Sequence, residues 1–152
     1  MIKQYIQGSI LDAPQKYIAH GVNCQNVMGS GVARVLFEKY PRVKEDYHTT
    51  YKVIVNNIGR HELLGGYDTS CQDDGKIILN CFTQDKYGYN NEKLVSYDAI
   101  YKIFKSISES QVKEIAIPKI GAGLAGGNWE IVSRIIDDAT GDDLDVYVYY
   151  LE

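Results

Sequence analysis

The fold is decided by two glycine-containing stretches, His20-Gly-Val-Asn-Cys-Gln-Asn-Val-Met-Gly-Ser-Gly-Val-Ala33 and Ile117-Pro-Lys-Ile-Gly-Ala-Gly-Leu-Ala-Gly-Gly-Asn-Trp129. Each follows an apolar run typical of a buried strand, and each leads into a helical pattern. Glycine lets backbone N–H groups approach a ligand closely, and a helix start adds partial positive charge. The two loops predict a site for a ligand with two anionic or polyhydroxyl parts, such as a nucleotide diphosphate sugar. They are called here the first glycine loop (residues 23–33) and the second glycine loop (residues 120–127).

The rest of the chain predicts strands that alternate with helices after a hairpin-like opening. The predicted strands are 2–7, 17–22, 62–67, 76–83, 114–118 and 146–151, with a turn at 73–75. The predicted helices are 31–40, 41–54, about 92–108 and one that begins after Asn128 and ends at Gly141, and the third buries Tyr97, Ile100, Tyr101, Phe104 and Ile107. This order predicts an α/β fold, with helices on both faces of a mixed, largely parallel sheet, in one domain of residues 1–152. Ligands bind beyond the carboxyl ends of strands in such sheets, where both loops begin.

Bulk composition excludes several function classes. The 152 residues carry a net charge of −4 without a basic run, which argues against binding to a nucleic-acid backbone. The three cysteines form no CxxC pair and share no ligand spacing with the three histidines, so neither a disulfide framework nor a metal site is expected. No signal peptide or apolar run of membrane-spanning length is found. We expect a cytoplasmic monomer with no cofactor, metal, nucleic-acid partner or membrane association.

Four segments together resemble the signature segments of the macro domain family. They are Gly8-Ser9-Ile10, His20 to Gln25, Gly29 to Ala33 and Ile117 to Leu124. The resemblance covers essentially the whole chain. It is closest to the branch of ADP-ribose 1''-phosphate phosphatases, through Asn23-Cys24, Tyr40-Pro41 and Leu79 to Gln84 followed by Tyr87-Gly88. It implies a three-layer α/β/α macro domain in which the first glycine loop surrounds the distal ribose of ADP-ribose and the second cradles the diphosphate.

The resemblance also implies roles for individual residues. His20 would be catalytic, as a general acid or as a nucleophile, and Asn23 would orient the ribose. The expected substrate-binding residues are Ser9, Ile10, Asn26, Gly29, Ser30, Gly31, Val32, Ile120, Gly121, Ala122, Gly123, Leu124 and Ala125, with Asp85 and Tyr150 as further candidates.

Each of these roles has a structural alternative. His20 can be a structural histidine, and Asn23 can bond to its own loop. Asp85 is either an acid–base partner of His20 or an exposed loop carboxylate, and Tyr150 either flanks the adenine or belongs to the core. The other two histidines, His48 and His61, are expected at the surface.

Departures from the family pattern limit the functional prediction. The family's usual Gly-Asp-Ile, whose aspartate reads the adenine amino group, is Gly8-Ser9-Ile10 here. The lysine and aspartate of the glutamate-specific ADP-ribosyl hydrolases match Glu38 and Ala125, so that activity is disfavoured. The first glycine loop is also short for the branch that hydrolyses ADP-ribose esters.

The sequence therefore favours hydrolysis of ADP-ribose 1''-phosphate to ADP-ribose and phosphate. A non-catalytic reader of ADP-ribose or of ADP-ribosylated protein, or a nucleotide-sequestering protein, is the alternative.

Overall fold

A computed structural model describes residues 1–29, 31–86, 94–122 and 125–151, and these ranges form one sheet with helices on both faces. The strands are β1 (Ile2–Gln7), β2 (Tyr17–Asn23), β3 (Tyr67–Cys71), β4 (Ile77–Gln84), β5 (Glu114–Ile117) and β6 (Asp145–Tyr150). The α-helices are α1 (Gly31–Lys39), α2 (Arg42–Asn57), α3 (Tyr97–Ser108) and α4 (Trp129–Thr140), and short 3₁₀ helices span Ile10–Asp12 and Arg60–Glu62. Among the helices in these ranges, none is long and apolar enough to cross a membrane.

The sheet has the strand order β1-β6-β5-β2-β4-β3. Every neighbouring pair is parallel except β3 and β4. The predicted α/β fold with a mixed, largely parallel sheet is therefore confirmed. The prediction of a hairpin-like opening was wrong, because β1 pairs in parallel with β6, and two strands, β6 and β5, lie between β1 and β2.

Two apolar clusters hold the helices against opposite faces of the sheet. Helices α3 and α4 pack on one face through side chains spaced three and four residues apart, such as Ile100, Phe104 and Ile136. Helices α1 and α2 pack on the other face through Leu36 and Tyr47, among others. This arrangement gives the three layers that the sequence predicts.

Helix α3 begins later than the sequence predicts. The Ser96 hydroxyl accepts a hydrogen bond of 3.1 Å from the Ala99 N–H and so caps a helix that starts at Tyr97. Residues 94–96 precede the helix, and the expected start at 92 lies outside the described ranges. The buried stripe also differs, since Tyr101 is 43% exposed and Ile103 takes its place in the core.

The predicted strand at 62–67 was wrong. The chain forms the 3₁₀ helix Arg60–Glu62 and a turn there, and the strand follows at Tyr67–Cys71. This edge strand has a polar sequence because Asp68 and Ser70 bond to α2, through Thr50 at 2.7 Å and Asp46 at 2.7 Å. Apolar periodicity therefore does not reveal it.

Candidate functional site

The two glycine loops begin at neighbouring strands of the sheet. The first follows β2 and the second follows β5, and these strands are paired in parallel. The chain after β2 enters the α1–α2 layer, whereas the chain after β5 enters α4 on the opposite face. A crevice forms where successive connections leave a parallel sheet toward opposite faces, and such crevices are the usual ligand sites of open α/β sheets. The sequence-based placement of both loops at one edge is thus confirmed.

Asn23 ends β2 and organises the first glycine loop. Its Nδ2 donates to the Val27 carbonyl at 2.7 Å, and its Oδ1 accepts from the Gln25 N–H at 3.0 Å. The Tyr47 hydroxyl, whose pKa is raised by burial, donates to the same Oδ1 at 2.9 Å. The side chain is 8% exposed. These contacts are those of the structural alternative for Asn23, and its role on a ribose stays a prediction.

The middle of the first glycine loop is tied to α2. Asn26 adopts a positive φ of 61°, and its Oδ1 is hydrogen-bonded to Nδ1 of His48. His48 is therefore half-buried instead of a surface residue, and burial lowers its pKa. The expectation that His48 lies at the surface was wrong, because the sequence pattern of α2 does not reveal a contact with a loop residue 22 positions earlier.

The end of the first glycine loop contains two glycines with different requirements. Gly31 needs glycine because its φ is +61° at the start of α1. Gly29 has no positive φ, and a Cβ placed there would meet nothing within 4 Å in the described structure. Neither backbone strain nor packing explains glycine at position 29. Ser30 lies outside the described ranges, and Val32 is half-buried against the α1–α2 cluster.

The second glycine loop is closed by a backbone contact. The Gly127 N–H donates to the Gly121 carbonyl at 2.7 Å, and Gly121 has a φ of +83°. A Cβ on Gly127 would lie 2.4 Å from that oxygen, so only glycine permits the closure. Ile120 is buried, whereas Ala122 and Ala125 are half-buried. Gly123 and Leu124, also expected to bind ligand, lie outside the described ranges.

His20 lies within β2, beneath the surface of the site. Its Nε2 is 2.5 Å from Oδ1 of Asn80, its register partner on β4, and the side chain is 1% exposed. Nδ2 of Asn80 donates to the Val43 carbonyl and to a carboxylate oxygen of Asp68, so Oδ1 faces His20 as an acceptor. The ring therefore carries its proton on Nε2, and Nδ1 has no partner among the described residues. Burial lowers the pKa of His20 to about 4. Its catalytic role stays a prediction that requires the ring to become reachable.

Asp85 is paired with a residue that the sequence did not single out. Its carboxylate lies 2.9 Å from Nη2 of Arg60, and its side chain is 35% exposed. Asn80 occupies Nε2 of the His20 ring, and the role of Asp85 as an acid–base partner of His20 stays a prediction. The sequence did not reveal Arg60, because it lies 25 residues before Asp85, next to the wrongly predicted strand at 62–67, and no local pattern links the two residues.

Near the carboxyl ends of β1 and β6, side chains and not glycine loops line the candidate site. The Ser9 hydroxyl accepts from the Leu11 N–H at 3.2 Å and caps the 3₁₀ helix that begins at buried Ile10. Tyr150 ends β6 and is half-buried, with the Lys119 ammonium 5.1 Å from the centroid of its ring. This end therefore presents an aromatic ring and a cation. The adenine-flanking role of Tyr150 stays a prediction.

The described ranges contain no group of three or more His, Cys, Asp or Glu side chains placed to hold a metal ion. Cys24 and Cys81 are buried free thiols, and burial raises the pKa of Cys24 to about 12. Cys24 therefore remains a thiol at neutral pH and is not an activated nucleophile.

Comparison with known proteins identifies the family. The macro domain model matches residues 19–136. An uncharacterised protein of Enterobacteria phage T4 is 34% identical over 90% of this chain and 89% of its own length. A DNA ADP-ribosyl glycohydrolase of Mycobacterium bovis is 30% identical over 95% of this chain, which spans only 41% of that relative. An ADP-ribose 1''-phosphate phosphatase of Lodderomyces elongisporus is 25% identical over 97% of this chain and 99% of its own length.

Solved structures agree with this result. The macrodomain of Mycobacterium tuberculosis DarG is 27% identical, with a TM-score of 0.77 over 100% of this chain and 99% of that one. Thermosipho africanus DarTG, solved in complex with ADP-ribose, has the same fold at 19% identity, with a TM-score of 0.70 over 88% of this chain and 37% of that one. The family model covers more than half of the chain, and the fold agrees with it. The chain belongs to the macro domain family.

Proposed function

We propose that this protein binds ADP-ribose along the edge formed by the two glycine loops and hydrolyses ADP-ribose 1''-phosphate to ADP-ribose and phosphate. The observation that carries the binding proposal is the convergence of both loops at the β2–β5 crevice. Glycine at position 29, which neither φ nor packing requires, adds to it. Backbone N–H groups in such loops bind anions without a lysine or arginine, which suits a protein with a net charge of −4.

The hydrolysis proposal is supported by the relatives. Fungal proteins of similar length are named ADP-ribose 1''-phosphate phosphatase, and the match to one of them covers 99% of its chain. Phosphoryl transfer demands mainly positioning and stabilisation of charge, which oriented loop amides can supply. We propose that the first glycine loop holds the distal ribose with its phosphate and that the second holds the diphosphate. We also propose that residues 1–152 act as one domain.

For His20 we favour a positioning role over a catalytic one. The ring is 1% exposed and bonded to Asn80, so a ligand at the surface would not contact it directly in this conformation. Replacement of His20 by alanine decides between the two roles. A loss of turnover with ADP-ribose affinity unchanged within a few-fold would restore the catalytic assignment. Equal effects on affinity and turnover support positioning.

The experiment that tests the phosphatase proposal is phosphorus NMR with ADP-ribose 1''-phosphate, recorded over time without added metal. We expect a growing signal of free phosphate while the diphosphate signals stay intact. Shifted diphosphate signals without free phosphate would contradict hydrolysis and favour a non-catalytic reader or a sequestering protein. Unchanged spectra would contradict binding as well.

A second candidate activity comes from the mycobacterial relatives. They are named DNA ADP-ribosyl glycohydrolase and match at 30% identity, which is higher than the 25% identity of the fungal relative described above. Removal of an ADP-ribosyl group also breaks a bond at the distal ribose, so the same crevice would bind the substrate of this reaction. A parallel assay with ADP-ribosylated DNA distinguishes the two activities, because only the glycohydrolase releases ADP-ribose and unmodified DNA from it.

A further inference from the structure

The ladder between β2 and β4 becomes irregular at the site. Val22 pairs with Phe82, but the next pair is Asn23 with Gln84, so Thr83 is an extra residue on β4. Beyond this irregularity, the Cys24 N–H is shared between the Gln84 carbonyl at 3.0 Å and the Asp85 carbonyl at 3.1 Å. Such irregularities redirect the chain and weaken regular pairing. The regular pairing of β2 with β4 therefore ends where the candidate site begins, and the shared Cys24 N–H joins the first glycine loop to the segment after β4.

One side chain bridges these two segments. Nε of Arg60 donates to the Cys24 carbonyl at 2.7 Å, and Nη2 donates to the Asp85 carbonyl at 3.2 Å. The same Nη2 forms the ion pair with the Asp85 carboxylate at 2.9 Å. Arg60 thus contacts the first glycine loop through one nitrogen and the segment after β4 through another.

Arg60 is partly buried, and the Cys24 carbonyl that it contacts belongs to a buried residue. Arg60 opens the 3₁₀ helix Arg60–Glu62 directly after Gly59, whose φ of +100° turns the chain back toward the sheet. The arginine side chain is only 28% exposed, and Cys24 is fully buried. Among the described residues, no other donor bonds to the Cys24 carbonyl. Without Arg60, this buried carbonyl would have no donor within the described ranges, and an unpaired buried acceptor is destabilising.

We propose that Arg60 is a positioning residue of this site, which holds the first glycine loop and the segment after β4 in the relation that ligand binding needs. The proposal rests on the proposed function in that the ligand is ADP-ribose or its 1''-phosphate. The planar fork of arginine donates in two fixed directions, whereas a lysine ammonium is a point charge. Lysine at position 60 therefore keeps the charge without holding both carbonyls.

The chain contains a matched control at the other end of the same two strands. Nζ of Lys76, just before β4, donates to the Ala13 and Gln15 carbonyls at 2.6 Å each. These carbonyls precede β2, so Lys76 bridges the segments before β2 and β4 as Arg60 bridges those after them. Arg60→Met and Lys76→Met each remove one bridging cation, but only the first lies at the carboxyl edge.

The test compares wild type, Arg60→Met, Arg60→Lys and Lys76→Met at a temperature where all four are folded by circular dichroism. Calorimetry with ADP-ribose gives the affinity, and amide hydrogen exchange without ligand gives the local opening. For Arg60→Met we expect about a tenfold or larger loss of affinity, because small misplacements of binding groups are costly. We also expect faster exchange at residues 24–26 and 84–86. Lys76→Met should bind within twofold of wild type, and Arg60→Lys should remain clearly weaker than wild type.

Three results would overturn the proposal. The first is wild-type affinity and exchange in Arg60→Met. The second is wild-type affinity in Arg60→Lys, which would make charge alone sufficient. The third is an equal loss of affinity in Arg60→Met and Lys76→Met, which would reflect general destabilisation. Failure of the proposed function looks different, since wild type itself would then bind no ADP-ribose while the exchange measurement would still test the bridge.

Discussion

Replacing Gly29 with leucine separates what the fold needs from what a ligand needs. In the free protein, Gly29 is exposed, its φ is not positive, and a Cβ would meet no described atom within 4 Å. A side chain there should therefore change the free energy of unfolding by no more than about 0.5 kcal/mol, as at ordinary surface positions. With ADP-ribose bound, the same side chain would occupy space next to the loop amides.

The expected loss of ADP-ribose affinity follows from the hydrogen bonds between the loop amides and the ligand that the leucine side chain would break. A hydrogen bond from a backbone N–H to a charged group contributes about 1.5–3 kcal/mol, so losing one lowers affinity by roughly 10-fold to 100-fold. Gly29→Ala should weaken binding less than Gly29→Leu, because its side chain is smaller.

The assay is calorimetry with ADP-ribose, together with urea unfolding of each variant. Ser106→Leu, on the exposed face of α3, is the control for added apolar bulk. Wild-type affinity in Gly29→Leu would contradict this prediction, because the glycine at position 29 would then have no ligand to accommodate. The prediction would also be contradicted if Gly29→Leu lowered the free energy of unfolding by as much as it weakened the free energy of ADP-ribose binding.

Three further changes have expected outcomes. Gly127→Ala should unfold at a lower urea concentration and bind ADP-ribose more weakly. The added Cβ would lie 2.4 Å from the Gly121 carbonyl oxygen and open the second glycine loop. An unchanged urea midpoint would contradict the view that the Gly127–Gly121 contact closes this loop. Burial lowers the pKa of His20 from its ordinary value of 6.5 to about 4 in the native protein. As the pH falls, the unfolded chain therefore protonates His20 near pH 6.5, whereas the native protein does so only near pH 4. Stability should therefore fall by roughly 3 kcal/mol as pH drops through that window, and His20→Gln should remove this part of the pH dependence in urea unfolding; identical pH profiles would count against it. Asn128→Ala removes the side chain that accepts from the Glu130 N–H at 2.9 Å, and should cost about 1 kcal/mol in the same measurement while ADP-ribose affinity stays within a few-fold.

The elements that the sequence predicts well are those with apolar periodicity. Strands β2, β4 and β5 are buried on both faces and appear as apolar runs, and α4 is marked by Asn128 at its start and Gly141 at its end. Strand β3 escapes prediction because its polar side chains are satisfied by α2 across long sequence distances. The start of α3 was misplaced because the Ser96 cap decides it and helix propensity does not.

The site was predictable to the extent that it consists of local loops. Glycines at strand ends mark both loops, and their convergence follows from the parallel sheet. The contacts that shape the loops are not local, and they include His48 with Asn26 and Arg60 with Cys24. A single sequence gives no signal for such pairs, because each partner has an ordinary composition around it. The burial of His20 beneath the crevice was hidden for the same reason.

The most direct test of the proposed ADP-ribose site is an amide NMR titration of ¹⁵N-labelled protein with ADP-ribose. We expect saturable shifts concentrated in residues 23–32 and 118–127, at the ends of β2 and β5, with little change at the opposite edge near Lys76. Shifts centred elsewhere, or no shifts at millimolar ADP-ribose, would contradict the claim that the two glycine loops form an ADP-ribose site.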